Sequence, residues 1–378
     1  MSEFKPLGGK ILTKPFKFLL AFAAIAGVLL ILRFVFGLGA VTNLSDGFPW
    51  GIWIVYDVVT GTAIACGGYA MALLVYIFNR GKYHPLVRSA LMASMFGYTL
   101  AGVSIFIDIG RYWQMYNIFL PWHVNVNSIM FEVAFCVAAY VAVMWIEFSP
   151  AFFESKQKEK TLKIANNLMF VFIALGVLLP TMHQSSLGSV MIIAGEKLSP
   201  LWQTGFLPLL FLITALTMGY AIVIFESLFS SIGLNRPMET DMLAKLSRLI
   251  PVLLIAFLGI RFADLIWRGA FAEILAWDLK SFMFLLENIL YIIPIFILFS
   301  SKFRSSNRYL FISAVCMILA GSLYRFDAYL IGFNPGEGWH YFPAFSEIMI
   351  TVGIISVEIM AYLIFVKKLP VLPQVKHA

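Results

Sequence analysis

Apolar residues run in ten long stretches, at approximately 16–38, 50–78, 88–109, 122–147, 164–183, 202–228, 249–267, 281–299, 309–330 and 344–366. Most are close to the ~20 residues that cross a bilayer as a helix. Between them lie short polar segments, none long enough to form a separate soluble domain. The pattern predicts an all-α membrane fold of about ten transmembrane helices, with residues 1–378 forming a single polytopic domain. Four lysines (Lys5, Lys10, Lys14 and Lys17) flank the first stretch. That stretch is too long for a signal peptide and lacks a small-residue cleavage site, so it is read as a retained span.

Composition agrees. Hydrophobic residues make up 61% of the chain and charged residues only 12%. Placing both termini in the cytoplasm puts twenty of the 27 Lys and Arg in inner segments and four (Arg111, Lys197, Arg268 and Lys280) in outer loops. Arg33, Arg261 and Arg325 fall within spans. This asymmetry is the positive-inside rule. It explains the net charge of +7 as a topology signal, so nucleic-acid binding is not needed to account for it. Of the nine tryptophans, only Trp145 lies at an inner end. Trp50, Trp53, Trp113, Trp122, Trp202, Trp267, Trp277 and Trp339 lie at or near outer ends. Such one-sidedness goes beyond an interfacial belt and predicts a docking surface on the outer face.

Ionisable residues inside a bilayer are costly and usually mark a site or pathway. Here they gather at mid-depth and toward the outer side: Asp57, Asp108, Arg111, Glu132, Arg261, Asp264, Glu287, Arg325, Asp327 and Glu347. Glu147, Glu226 and Glu358 occupy the inner half. Residues near a span end, such as Asp327 and Glu347, can snorkel to the interface. Asp57, Glu132 and Glu287 are placed too deep for that, which leaves a site or a buried ion pair. Asp108, Arg111 and Glu132 are echoed by Asp264, Arg268 and Glu287 at nearly the same spacing. The echo predicts two four-helix half-bundles plus peripheral helices.

The fifth span ends in a polar stretch containing Pro180, His183, Gln184, Ser185 and Ser186, and the proline is expected to disturb the helix there. Irregular backbone at this depth must line a cavity or a protein contact. Histidine, arginine, amide and hydroxyl donors with nearby carboxylates suit a membrane quinone, which needs partners for two carbonyls and two protons per electron pair. A proton-coupled transporter would also bury carboxylates at this depth, so these residues alone leave both readings open. Cys66, Cys136 and Cys316 form no CxxC pair, so no iron–sulfur or structural zinc site is expected. Among the five histidines (His84, His123, His183, His340 and His377), only His123 with His183 offers a pair of axial haem ligands.

Several longer motifs then carry a resemblance. PLGGKILTKP (6–15), GFPWGIW (47–53), YHPLVRSALMASMFGYTLAG (83–102), IDIGRYW (107–113), LLPTMHQSSLGS (178–189) and FNPGEGWHYFP (333–343) resemble the NrfD/PsrC family of quinone-interacting membrane subunits. Within the family they resemble the branch that serves periplasm-facing nickel–iron hydrogenases, whose ten spans also fit. The resemblance implies a subunit in the bacterial cytoplasmic membrane, with hydrogenase large and small subunits and a ferredoxin-like iron–sulfur subunit on its periplasmic face. It implies menaquinone as the electron acceptor, and no haem, iron–sulfur cluster or metal within this chain. The expected roles follow. His183, Gln184, Ser185 and Ser186 bind quinone, with Asp108 and Arg111 as the opposite wall. Asp57, Glu132, Glu147, Glu226 and Glu358 move protons, coupled to translocation across the membrane. Arg261, Asp264, Glu287 and Arg325 form a second polar cluster. The remaining alternatives are another quinone oxidoreductase of the family, a transporter, and a passive anchor.

Overall fold

The computed structural model describes residues 4–373, so Lys376 and His377 lie outside the described residues. Among the described residues, ten helices are long and apolar enough to cross a membrane: α1 (Lys14–Phe36), α2 (Trp53–Ile77), α3 (Gly81–Asp108), α4 (Ile129–Ser155), α5 (Glu159–Ile193), α6 (Leu207–Gly233), α7 (Thr240–Trp267), α8 (Leu279–Phe299), α9 (Asn307–Ile331) and α10 (Phe345–Lys368). In lipid the helix satisfies its own backbone polar groups, which is why apolar runs of this length take that form. The ends follow local chemistry. Pro15 and Pro208 sit in the first turns of α1 and α6. Gly37, at φ 91°, stops α1, and the Asp278 side chain caps α8 by accepting from the Ser281 N–H at 2.8 Å.

Helices α2 to α5 pack in chain succession, as do α6 to α8, while α9 packs on α6 and α8 and α1 pairs with α10. Glycine sets the approach between the two groups. A Cβ at Gly219 of α6 would lie 2.5 Å from the Cys66 carbonyl oxygen of α2. The two ends of the described residues meet, where Phe4 bridges to Pro373 and the Leu7 N–H donates to the Val366 carbonyl at 3.1 Å.

Three local features differ from the sequence expectations. First, α4 begins at Ile129, because a 3-10 segment at 112–119 is followed by turns through residues 121–127. Glu132 therefore sits in the first turn of α4 rather than ten residues deep. Second, α5 passes through Pro180 without ending, so His183, Gln184, Ser185 and Ser186 are helical residues. The Thr181 hydroxyl bonds to the Val177 carbonyl at 2.7 Å, just below the missing proline donor. Third, the outer tryptophans divide. Trp113, Trp122, Trp267, Trp277 and Trp339 are exposed, whereas Trp53 and Trp202 are buried. Trp50 donates to the Tyr329 carbonyl at 2.7 Å.

Candidate functional site

The polar stretch of α5 faces the centre of the bundle. Gln184 is fully buried, and its side chain joins four helices. Its Nε2 donates to the Thr62 hydroxyl of α2 at 3.1 Å and to the Tyr98 hydroxyl of α3 at 3.3 Å. Its Oε1 accepts from Arg325 Nη2 of α9 at 3.2 Å. Arg325 also donates to the Thr214 hydroxyl and the Phe211 carbonyl of α6, each at 2.9 Å. His183 is 1% exposed, its Nε2 3.2 Å from the Thr62 hydroxyl. Its Nδ1 is buried without a partner. Tyr98 packs edge-on to Tyr140 and His183, and the Cys66 thiol lies 3.5 Å from its hydroxyl. One turn outward, Ser186 donates to Glu132 Oε1 at 2.8 Å. Apart from Arg325, the central groups are neutral. Such a cluster can present hydrogen-bond donors to a neutral carbonyl compound without burying a net negative charge.

Not every expected wall residue reaches this cluster. Ser185 turns its hydroxyl back to the Met182 carbonyl at 2.8 Å. Asp108 sits between Ile107 and Ile109, whose carbonyls Arg33 binds, and its Oδ1 is buried without a partner. Arg33 of α1 is buried and caps the end of α3 by donating to the Ile107 and Ile109 carbonyls at 2.7 and 2.6 Å. Arg111 is exposed at the head of the 112–119 segment. It lines a cleft of about 700 Å³ between α3 and α4, together with Gln114, Asn117 and apolar side chains such as Val103 and Val137.

The carboxylates separate by neighbourhood. Asp57 is buried and accepts from Ser104 at 3.2 Å and Thr351 at 3.3 Å. Glu358, farther in on α10, lies within electrostatic reach of Asp57. The Tyr362 hydroxyl donates to Glu226. Glu147 Oε1 is buried and unpartnered, and it faces Gly176 of α5. Glu347 is fully buried, so it does not snorkel. It accepts from the Asn43 N–H (2.9 Å), the Ala344 N–H (2.7 Å) and the Tyr341 hydroxyl (2.7 Å). Burial and the Glu347 carboxylate push the Tyr341 hydroxyl's pKa up, which keeps it a donor.

The second polar cluster lies among α7, α8 and α9. Arg261 and Glu287 form an ion pair, with Arg261 3% exposed and Glu287 fully buried. Trp202 donates to Glu287 Oε2 at 3.5 Å, and the Arg261 guanidinium sits 4.3 Å from the Phe284 ring centroid. Asp327 is fully buried beside Glu287. Asp264 pairs instead with Arg268 at 2.7 Å, near the outer rim. The Asp108–Arg111 and Asp264–Arg268 motifs, similar in spacing, thus make different contacts.

Sequence reasoning missed Tyr98, Thr62 and Cys66. Tyr98 lies in the 83–102 motif, and a hydroxyl in an otherwise apolar helix was its available signal. Among the described residues, no group of three or more His, Cys, Asp or Glu side chains is placed to hold a metal ion.

Comparison with known proteins adds relatives to this geometry. The family profile described as "Polysulphide reductase, NrfD" matches residues 40–332. The chain is 48% identical over 376 residues to the "Probable Ni/Fe-hydrogenase 2 b-type cytochrome subunit" of Escherichia coli (strain K12), covering 99% of this chain and 96% of the relative. It is 35% identical over 163 residues to the "Menaquinone reductase, integral membrane subunit" of Nitratidesulfovibrio vulgaris, covering 41% and 37%. It is 25% identical over 427 residues to a selenate reductase subunit of Mesobacillus selenatarsenatis, covering 97% and 96%.

Proposed function

This chain belongs to the polysulphide reductase NrfD family, and on that premise we propose that it is the integral membrane subunit of a nickel–iron hydrogenase complex, passing electrons from a ferredoxin-like iron–sulfur subunit to menaquinone. The complex spans the bacterial cytoplasmic membrane, with the hydrogenase large and small subunits and the iron–sulfur subunit on the periplasmic face. Both termini lie in the cytoplasm, in keeping with the basic residues of that face.

The observation that carries this reading is His183, a fully enclosed histidine with an unpartnered ring nitrogen, held beside the Gln184–Tyr98–Arg325 network. Reducing a quinone to quinol takes two electrons and two protons. The electrons come from hydrogen through the iron–sulfur subunit. His183 presents its free Nδ1 to a quinone carbonyl, Gln184 holds the Thr62 and Tyr98 hydroxyls beside it, and Arg325 offsets charge developing on the ring oxygen. Glu132, held by Ser186, and Asp57 supply protons. Arg111, at the mouth of the cleft between α3 and α4, guides the quinone in from lipid. Glu147, Glu226 and Glu358 connect the inner side, which couples hydrogen oxidation to proton movement across the membrane.

The test is hydrogen-dependent menaquinone reduction by the assembled complex carrying His183→Ala. Loss of quinone reduction, with dye reduction at the hydrogenase partner retained, is the expected result. Undiminished quinone reduction removes His183 from the site. The likeness to a selenate reductase component along nearly the whole chain favours a second reading, in which the catalytic partner is another oxidoreductase. Identifying the proteins that co-purify with the tagged chain decides between the two.

A further inference from the structure

The inner end of the proton route has its own architecture. Glu226 Oε2 is buried without a partner, while its other oxygen accepts from Tyr362. Beside it is a cavity of about 30 Å³ lined by Ser89, Ser230, Ser231, Arg236 and Glu239. That exceeds the ~10–15 Å³ one water needs, and the wall offers more than the two to four polar partners a water uses. Burial raises the Glu239 carboxyl's pKa, with Arg236 opposing the rise. Of the other two inner acids, Glu147 lies against the α5 backbone at Gly176 and Glu358 lies on α10.

Leu372 and Pro373, the last of the described residues, line one side of the cavity. Residues 369–373 form a strap pinned by two arginines. Arg236 Nη2 donates to the Pro373 carbonyl at 2.5 Å, and Arg88 Nη1 to the Pro370 carbonyl at 2.8 Å. Arg88 also pairs with Glu154 and sits over the Phe4 ring, and the Lys5 N–H donates to the Leu372 carbonyl at 3.4 Å. Above the cavity, Tyr362 bonds Glu226 and Thr351 bonds Asp57, with Glu358 between them along α10. The helix rise from Thr351 to Tyr362 is about 16 Å.

We propose that this cavity is the water-holding proton-uptake site for the Asp57 route, with Glu226 as its acceptor and residues 369–373 as its lid. The proposal rests on the quinone-reducing reading above. A proton arriving on a cavity water passes to Glu226, and the water is replenished when the strap lifts.

Two measurements test it. In the complex reconstituted in liposomes, Ser231→Leu fills the cavity and slows proton uptake at the terminus-bearing face about tenfold, a loss of water-mediated transfer. Ser231→Thr keeps near-normal uptake, and dye reduction at the hydrogenase partner is unchanged in both. In a background with Cys66, Cys136 and Cys316 replaced by Ala, Ser231→Cys reacts slowly with a charged thiol reagent from that face. Deleting residues 369–378 speeds the reaction about tenfold, as expected for removal of a local opening step. Normal quinone reduction with undiminished proton uptake in Ser231→Leu overturns the uptake site alone. Labelling no faster after the deletion overturns the lid. Failure of the unaltered complex to reduce menaquinone sinks the quinone-reducing reading, while the labelling still decides the lid.

Discussion

The two buried polar clusters of this bundle solve opposite problems. Around Gln184, one arginine is surrounded by neutral groups, and the His183 ring keeps a nitrogen free. Around Glu287, the charge of Arg261 is met by a carboxylate and enclosed by Trp202, Phe284 and Tyr324. The first cluster offers neutral groups and a free imidazole nitrogen to a neutral carbonyl compound, whereas the second offsets its cation internally with a carboxylate, even though Arg261 Nη1 and both Asp327 oxygens are left without hydrogen-bond partners. Burial and unpartnered atoms alone do not separate these cases, since both clusters have them; whether the buried cation meets a carboxylate does.

Breaking the second cluster should give the largest effect. Arg261→Met leaves Glu287 and Asp327 in apolar surroundings without their cation, and is expected to destabilise the chain by about 3–5 kcal/mol. Unfolding in detergent checks this, and Arg261→Met with Glu287→Leu should recover most of the loss. A single variant as stable as the parent would erase the contrast between the clusters. Next, His183→Ala should lower quinone reduction by about 100-fold, the scale of a lost hydrogen-bonding or proton-transferring group, with little change in unfolding. Ser186→Ala frees Glu132 from one hydrogen bond worth about 1 kcal/mol, so turnover should fall roughly fivefold. The smallest effect is local. Asp278→Ala removes the cap of α8, which costs about 0.5–1 kcal/mol without altering quinone reduction. The Ser281 N–H holds the Asp278 carboxyl below the usual carboxylate range. Its contribution is therefore present above about pH 4 and is lost as pH falls through its lower native value. The variant should show a flatter acid limb in a stability-versus-pH curve.

The number of helices and the shared side of the two ends of the described residues were legible because apolar length and charge asymmetry are properties of whole segments. The stretch from His183 to Ser186 was legible as polarity in an apolar setting. What could not be read was direction. Asp108 and Arg111 are three residues apart, yet Asp108 sits between the two residues whose carbonyls Arg33 of α1 binds, while Arg111 heads an exposed segment. Arg325 belongs to the Gln184 cluster although its neighbour Asp327 lies beside Glu287, because adjacent helical side chains point to different faces. Pro180 predicted a break, but a proline within a packed helix can be accommodated when neighbouring groups satisfy the backbone. Glu132 was placed too deep because Trp122, Val124 and Val126 read as the opening of an apolar span, whereas they belong to turns that precede α4.

The pairing of α1 with α10 bears on how the molecule is made. These helices flank the stretch matched by the family profile, and they pack on one another. After leaving the ribosome, α1 must therefore wait for α10. At about 5–20 residues per second, synthesis of the intervening chain takes on the order of tens of seconds. Throughout that interval the face α1 reserves for its late companion is open to lipid, to an insertase or to a neighbouring nascent chain. The α1–α10 contact thus forms only after the eight helices between them have been made, and a chain stalled before α10 would be a defined substrate for quality control.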